Sequence, residues 1–270
     1  MAIATTARAT WSGSVTFGMV SFPVRLYGAA RDKDLRFNQV HKACGQRVNA
    51  PTVCRTCNVE VTRDELVKGY AVSKDQLVLL EENDFEALPL ASVQAVEVIA
   101  AVDEAELPFV MADKTYWVGP DDRARVGHKA FVLFRDALAR KGQVAVGRIA
   151  MRAGKENLCV VRPYGKALAL TLLHWGDELV DSGAVEESVA EVAVSEAEAA
   201  LADKLLDSLR SEPDVLFEQR DAYREALETL IEAKLSGQEP VRLPAVKPAE
   251  SVDLLAALEA SLAAAKEKVA

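Results

Sequence analysis

An α+β chain, with a β-barrel core followed by a helical arm, is the fold class this sequence predicts. Three observations carry that prediction. From Trp11 to Tyr27 (WSGSVTFGMVSFPVRLY) Trp11, Val15, Phe17 and Met19 fall on one parity and Ser12, Ser14, Thr16 and Gly18 on the other. Such alternation is the mark of a strand with one buried face. Between Val144 and Leu172 three short apolar runs follow one another across basic turns, a meander that suits a barrel better than a parallel α/β sheet. Beyond Trp175 the apolar spacing changes to that of amphipathic helices.

In chain order, Pro23 interrupts the first run because it cannot donate to a ladder, and Val24 and Leu26 resume the pattern on shifted parity. That reads as a strand bent at a barrel corner, although periodicity alone fits an ordinary amphipathic hairpin too. Residues 29–40, with Leu35, Phe37 and Val40 as apolar members, read as another short strand. Asp64 and Glu65 open a helical turn that leads into a strand at Lys68-Gly69-Tyr70, and Leu77–Leu80 is an apolar run. Glu81–Phe85 starts a helix that ends before Pro89. Strands are expected over Val93–Val102 and over Phe109–Val118, the second rich in aromatic and β-branched residues. Gly119-Pro120-Asp121-Asp122 reads as a turn.

Lys129–Arg140 has helical spacing, with Gly142 where a C-cap belongs. Strands follow at Val144–Ile149, Leu158–Val161 and Leu168–Leu172, and Cys159 is expected in the core. Ser195-x-x-Glu198 is a capping box for a helix carrying Leu201, Leu205, Leu206 and Leu209. A second stripe, Tyr223 to Leu235, closes at Gly237; a stiff linker with Pro240, Pro244 and Pro248 leads to a last helix over Ser251–Lys268. These helices fit an arm that packs on a partner, or the core of the same domain.

Half of the 270 residues are hydrophobic, enough for a sizeable core. No apolar run reaches the ~18 residues of a membrane span. MAIATTARAT lacks the apolar stretch of a signal peptide, so a cytoplasmic location is expected. The net charge of −9 is unevenly spread. Residues 1–60 hold 8 Lys+Arg against 3 Asp+Glu, and residues 121–170 hold 11 against 4, with acidic stretches between and after them. Two basic blocks fit a cationic surface that meets phosphates, and also fit ordinary solvated faces.

His41-x2-Cys44-x9-Cys54-x2-Cys57 has the spacing of a zinc ribbon, with turn residues Gly45, Asn49, Pro51 and Asn58 around it. A closed set of His41, Cys44, Cys54 and Cys57 would make a structural Zn²⁺ site; free thiols are the other reading. A redox dithiol lacks the βαβ setting such motifs occupy. His128 and His174 stand without a neighbouring acid or nucleophile and read as packing or surface residues. There is no Walker loop, no nucleophile elbow and no His pair on a helix, so a binding protein is expected before an enzyme.

Letters add to spacing. The run Trp11, Phe17-Gly18-Met19-Val20, Pro23-Val24, Leu26-Tyr27 resembles the opening of the bacterial Ku family. So do Arg36–His41, Lys68-Gly69-Tyr70, Tyr116–Pro120 and Arg162-Pro163-Tyr164, in the family's order over nearly the whole chain. The resemblance implies a Ku-like core over residues 1–194 with an inserted bridge and the zinc insert at about 41–57, then a helical arm over 195–270. It implies a homodimeric ring that threads onto double-stranded DNA ends without sequence specificity and recruits an ATP-dependent ligase of the ligase D type for end joining at the bacterial nucleoid. The family's cradle lies in the barrel and its insert, which makes Arg8, Arg25, Arg31, Arg36, Arg47, Arg55, Arg148 and Arg152 the candidate DNA contacts. Many members end in a lysine-rich tail; here only Lys266 and Lys268 stand near the last residue, so a tail-dependent role is not expected. A zinc-ribbon barrel module that binds RNA or protein is the alternative reading.

Overall fold

The computed structural model describes residues 8–74, 76–86, 94–121, 127–152, 155–237 and 254–269. One compact unit runs to Asp181 apart from Asp34–Arg36; the other takes those three residues together with the chain from Ser182.

Seven strands build the barrel of the first unit: β1 (Trp11–Phe17), β2 (Val20–Gly28), β7 (Ala95–Asp103), β8 (Ala112–Pro120), β9 (Gln143–Arg152), β10 (Lys155–Tyr164) and β11 (Ala167–Leu173). They close into a barrel in the order β1-β2-β8-β11-β10-β9-β7. All neighbours are antiparallel except β1 and β7, whose parallel pairing of Ser14, Val15 and Thr16 with Ala95, Val96 and Glu97 completes the ring.

The period-2 pattern follows one face around the whole circuit. Val15 lies opposite Phe22, Leu26 opposite Val118, Leu170 opposite both Tyr116 and Val161, and Ile149 opposite Val96. All of these side chains are buried in one cluster. Slipping any strand by one residue would exchange this apolar face for the outer one, so the register is strongly held. Burying each such Val, Leu, Ile or Phe contributes about 1.5–3 kcal/mol.

The helix α2 (His128–Lys141) adds Phe131, Phe134 and Leu138 to that same interior cluster. Phe134 lies 4.8 Å from Phe17 and 5.6 Å from Phe22, ring centre to ring centre, and Phe131 lies 5.9 Å from Phe22. An aromatic helix face thus stoppers the barrel beside the β1–β2 turn. Gly142 caps α2 as expected, its N–H donating to the carbonyls of Leu138 and Ala139. On the outer wall Val144, Val160 and Leu173 form a smaller cluster packed with Leu107, which follows the single turn Glu104–Glu106, and with Met111, which ends the single turn Phe109–Met111.

Several sequence expectations change. The first run is not one strand bent at Pro23 but a hairpin reversing at Gly18-Met19, where Gly18 takes a φ of +57°. A two-residue turn needs that left-handed position, and glycine takes it without steric cost. Met19, expected on the buried face, stands wholly exposed at the turn. Pro23 stays inside β2 opposite Ser14. Residues 29–39 form no strand, and Val40 makes only an isolated bridge with Arg47. Gly119 and Pro120 are no turn but the end of β8, opposite Arg25 and Val24.

Residues 29–94, between β2 and β7, carry the insert. Its described parts include a short ribbon of β3 (Val53–Cys54) and β4 (Val59–Glu60). They also include a hairpin of β5 (Lys68–Ser73) and β6 (Gln76–Leu80), then α1 (Glu82–Glu86). The expected end of that helix before Pro89 lies outside the described residues.

The second unit holds α3 (Gly183–Ser188), α4 (Glu196–Ser208), α5 (Val215–Glu218), α6 (Ala222–Leu235) and α7 (Leu254–Val269). The predicted capping box is present: Ser195 Oγ accepts from the Glu198 N–H, and the Glu198 carboxylate accepts from the Ser195 N–H at 2.8 Å. The Ser195 hydroxyl and N–H together hold the Glu198 carboxyl below the usual glutamate value. The helix α4 packs on α7, yet neither α4 nor α6 has a fully buried residue. The linker over 238–250 lies outside the described residues.

Gly147 shows how tightly the barrel closes. A Cβ there would come within 2.6 Å of the Glu97 carbonyl oxygen on β7. Gly147→Ala is expected to cost about 1–3 kcal/mol by overpacking. It should appear as a lower denaturant midpoint with an unchanged slope, while an unchanged midpoint would contradict this closeness.

Candidate nucleic-acid interface and cysteine ribbon

Strand parity decides which side chains leave the barrel. On β2 the buried residues are Phe22, Val24 and Leu26, so Arg25 and Tyr27 face outward. On β8 Tyr116 and Val118 are buried and Trp117 faces outward. Register then lines up Tyr27, Trp117, Ala169 and Arg162 across four adjacent strands on the outer wall. Tyr164 follows Arg162 on the same face of β10. Ala169 is small enough to let the Trp117 ring meet Tyr164, with centroids 4.6 Å apart.

Both arginines of this wall are engaged. Arg25 Nη2 lies 2.9 Å from Asp121 Oδ1, the side chains being 22% and 20% exposed. The Asp121 N–H also donates to the Pro23 carbonyl, which holds that carboxylate beside the strand. Arg162 Nη1 lies 2.9 Å from Glu104 Oε1. In each guanidinium the Nε is buried without an acceptor, the two unsatisfied buried side-chain atoms among the described residues.

The other candidate cations are spread over several elements. Arg148 projects from β9, 3.9 Å from Glu156 and 48% exposed. Arg47 and Arg55 are exposed on the ribbon segment, Arg55 between the paired cysteines. Arg8, Arg31 and Arg36 are exposed on irregular backbone, with Arg36 in the second unit. Arg152 ends β9 opposite Lys155, and its side chain lies outside the described residues. Sequence reasoning passed over Arg162, Tyr27, Trp117 and Tyr164 as a group. Their parity was readable within each strand, but their adjacency depends on register across four strands distant in sequence.

The cysteine motif forms two separate pairs. His41 Nδ1 lies 3.1 Å from Cys44 Sγ, in a turn closed by hydrogen bonds from the Gly45 and Cys44 N–H groups to the His41 carbonyl. Cys54 ends β3 and Cys57 lies in the β3–β4 turn, where Asn58 takes a left-handed φ of 52° and donates its N–H to the Cys54 carbonyl. The Cys57 N–H first, then the Thr56 N–H and the Cys57 thiol, lower the Cys54 thiol from its ordinary value. Imidazole and thiolate are suitable zinc donors. Among the described residues, however, no three His, Cys, Asp or Glu side chains converge as a metal-holding group. His41 with Cys44, and Cys54 with Cys57, each bring two donors of the kind zinc takes close together.

Cys159 is a different case. It sits in the barrel core, and burial pushes its thiol up to about 12. With metal chelated, a thiol reagent at neutral pH is expected to label Cys44, Cys54 and Cys57 in the native protein and Cys159 only after unfolding. Equal labelling rates in the native state would contradict the burial.

Comparison with known proteins fits this geometry. A family model described as the Ku70/Ku80 beta-barrel domain matches residues 16–201. The chain is 40% identical to the Non-homologous end joining protein Ku of Archaeoglobus fulgidus, over 96% of this chain and 100% of that protein. It is 39% identical to the protein of the same name from Frankia casuarinae, over 96% of this chain and 64% of the relative. For Symbiobacterium thermophilum the identity is 38%, over 96% and 63%. The chain thus spans just under two thirds of the length of the Frankia and Symbiobacterium proteins. With its closed barrel formed almost entirely within the matched residues, the chain belongs to the Ku family.

Proposed function

We propose that this chain is a non-enzymatic scaffold of non-homologous end joining. Two copies close into a ring around a double-stranded DNA end, hold it by its phosphates, and recruit an ATP-dependent ligase of the ligase D type. Family membership carries this reading, since the relatives compared above are named Non-homologous end joining protein Ku. We place its work in the cytoplasm, on the bacterial nucleoid. No helix among the described residues is long and apolar enough to cross a membrane.

The DNA contacts in this reading are cationic and indifferent to base identity. Arg8, Arg25, Arg31, Arg36, Arg47, Arg55, Arg148 and Arg152 supply them from strands, turns and irregular backbone. Arginine on such elements reaches phosphate oxygens, which position a protein on the duplex without reading sequence. Ends of any sequence are then accepted.

The insert hairpin supports the dimer. Tyr70, Val72 and Val78 are 66%, 60% and 42% exposed, and Leu77 and Leu79 are 64% and 63% exposed. Tyr70 pairs with Val78, and Ala71 with Leu77, so apolar side chains project from both faces. A two-stranded hairpin with two wet apolar faces is marginal by itself. Covering these side chains with a second copy recovers the stabilisation that exposure forgoes. Structural zinc belongs to the same reading: the His41–Cys44 and Cys54–Cys57 pairs each present two tetrahedral donors, and a metal would draw them together.

Two measurements test these points. Linear duplex should bind well and a closed circle of the same sequence poorly, and binding to the linear form should weaken by several decades as salt rises from ~50 to ~200 mM if about 6–10 phosphates are neutralised. Equal binding to circle and linear DNA would reject threading, and a flat salt response would reject the phosphate cradle. Elemental analysis of the purified protein should find one zinc per chain, released by Cys54→Ser with Cys57→Ser; a metal-free wild type would remove zinc from the reading.

A further inference from the structure

We propose that the outer barrel wall at Trp117 and Tyr164 is a stacking platform for the unpaired bases of a single-stranded overhang. This inference rests on the DNA-end reading and names which part of the end this wall takes. Trp117 and Tyr164 already pack ring against ring with their planes tilted by 41°, and Tyr164 remains 61% exposed. Tyr27 extends the aromatic surface on the other side of Trp117 through their direct cross-strand pairing. Every base has a π-face, so stacking on such rings tolerates any overhang sequence.

Charge complements the rings. Arg25 and Arg162 stand at the two flanks of this surface, each bound to its carboxylate through one Nη. In both, the Nε–H has no acceptor. Swinging either guanidinium from its carboxylate onto a phosphate exchanges one anion for another. It also brings the Nε–H into use as the second arm of a bidentate contact, the stronger geometry for this group. An aromatic strip flanked by two such arginines is suited to a strand whose bases are exposed. Paired bases inside a duplex cannot reach it.

The test compares three DNA ends on the full-length protein: a blunt duplex, the same duplex with a thymidine overhang, and one with an abasic overhang of equal charge. The wild type should prefer the thymidine overhang to the abasic one. Tyr164→Ala should lose roughly five- to hundredfold of that preference, the scale of one lost base–aromatic stack, with blunt-end affinity unchanged. Trp117→Phe, which keeps a ring, should retain most of it. Equal affinity of wild type for thymidine and abasic overhangs would overturn the proposal. So would a Tyr164→Ala protein that loses its dimer, because the patch would then be an interface between copies. If blunt ends fail to bind at all, the end-binding reading falls instead. The platform is then judged by quenching of tryptophan emission with oligothymidylate, which Tyr164→Ala should weaken.

Discussion

Closure of the barrel by the parallel pairing of β1 with β7 is the constraint on which the rest depends. Three residue pairs join the first strand to a strand that follows the long insert. An open seven-stranded sheet would leave two bare edges and a curved apolar face without a lid. Joined edge to edge, the same strands enclose their own core, and every residue is assigned to the interior or to the outer wall. The interior is then completed by the aromatic face of α2.

That division sets two kinds of position along each strand. Interior positions are occupied by Val, Leu, Ile, Phe and Trp side chains, held by packing and register. Outer positions are less uniformly packed, and there the chain carries Arg25, Tyr27, Trp117, Arg148, Arg162 and Tyr164 beside the smaller cluster of Val144, Val160 and Leu173. The ion pairs of Arg25 and Arg162 are partly exposed, so solvent screens them and their contribution to stability is modest. Their effect is better seen in geometry: each carboxylate holds one Nη of a guanidinium at 2.9 Å. The net charge of −9 is no obstacle to a cationic face, because local charge, not the sum, sets the potential a phosphate meets.

Outside the barrel the chain trades stability for surface. The β5–β6 hairpin has no buried residue, and α4 and α6 have none either. Local devices hold these pieces in shape. Capping boxes at Thr62–Glu65 and Ser195–Glu198 satisfy helix-end N–H groups with side-chain oxygens, and the hairpin is tied by its ladder. Such elements are formed by nearby residues and leave their apolar side chains exposed.

Much of this was legible in the residues themselves. Alternation marked the barrel strands, helical spacing marked α2, α4, α6 and α7, and Gly142 and Ser195-x-x-Glu198 marked their ends, because these signals depend only on neighbours a few positions away. The family motifs extended the reading to the whole chain. The misreadings at Gly18 and at Gly119-Pro120 share a cause. A turn and a bend leave the same local break in alternation, and only the strand that pairs alongside distinguishes them. Tertiary structure alone decided that Tyr27, Trp117, Ala169 and Arg162 form one row. Spacing along the chain limits what residues can reach; the register between distant strands determines what they meet.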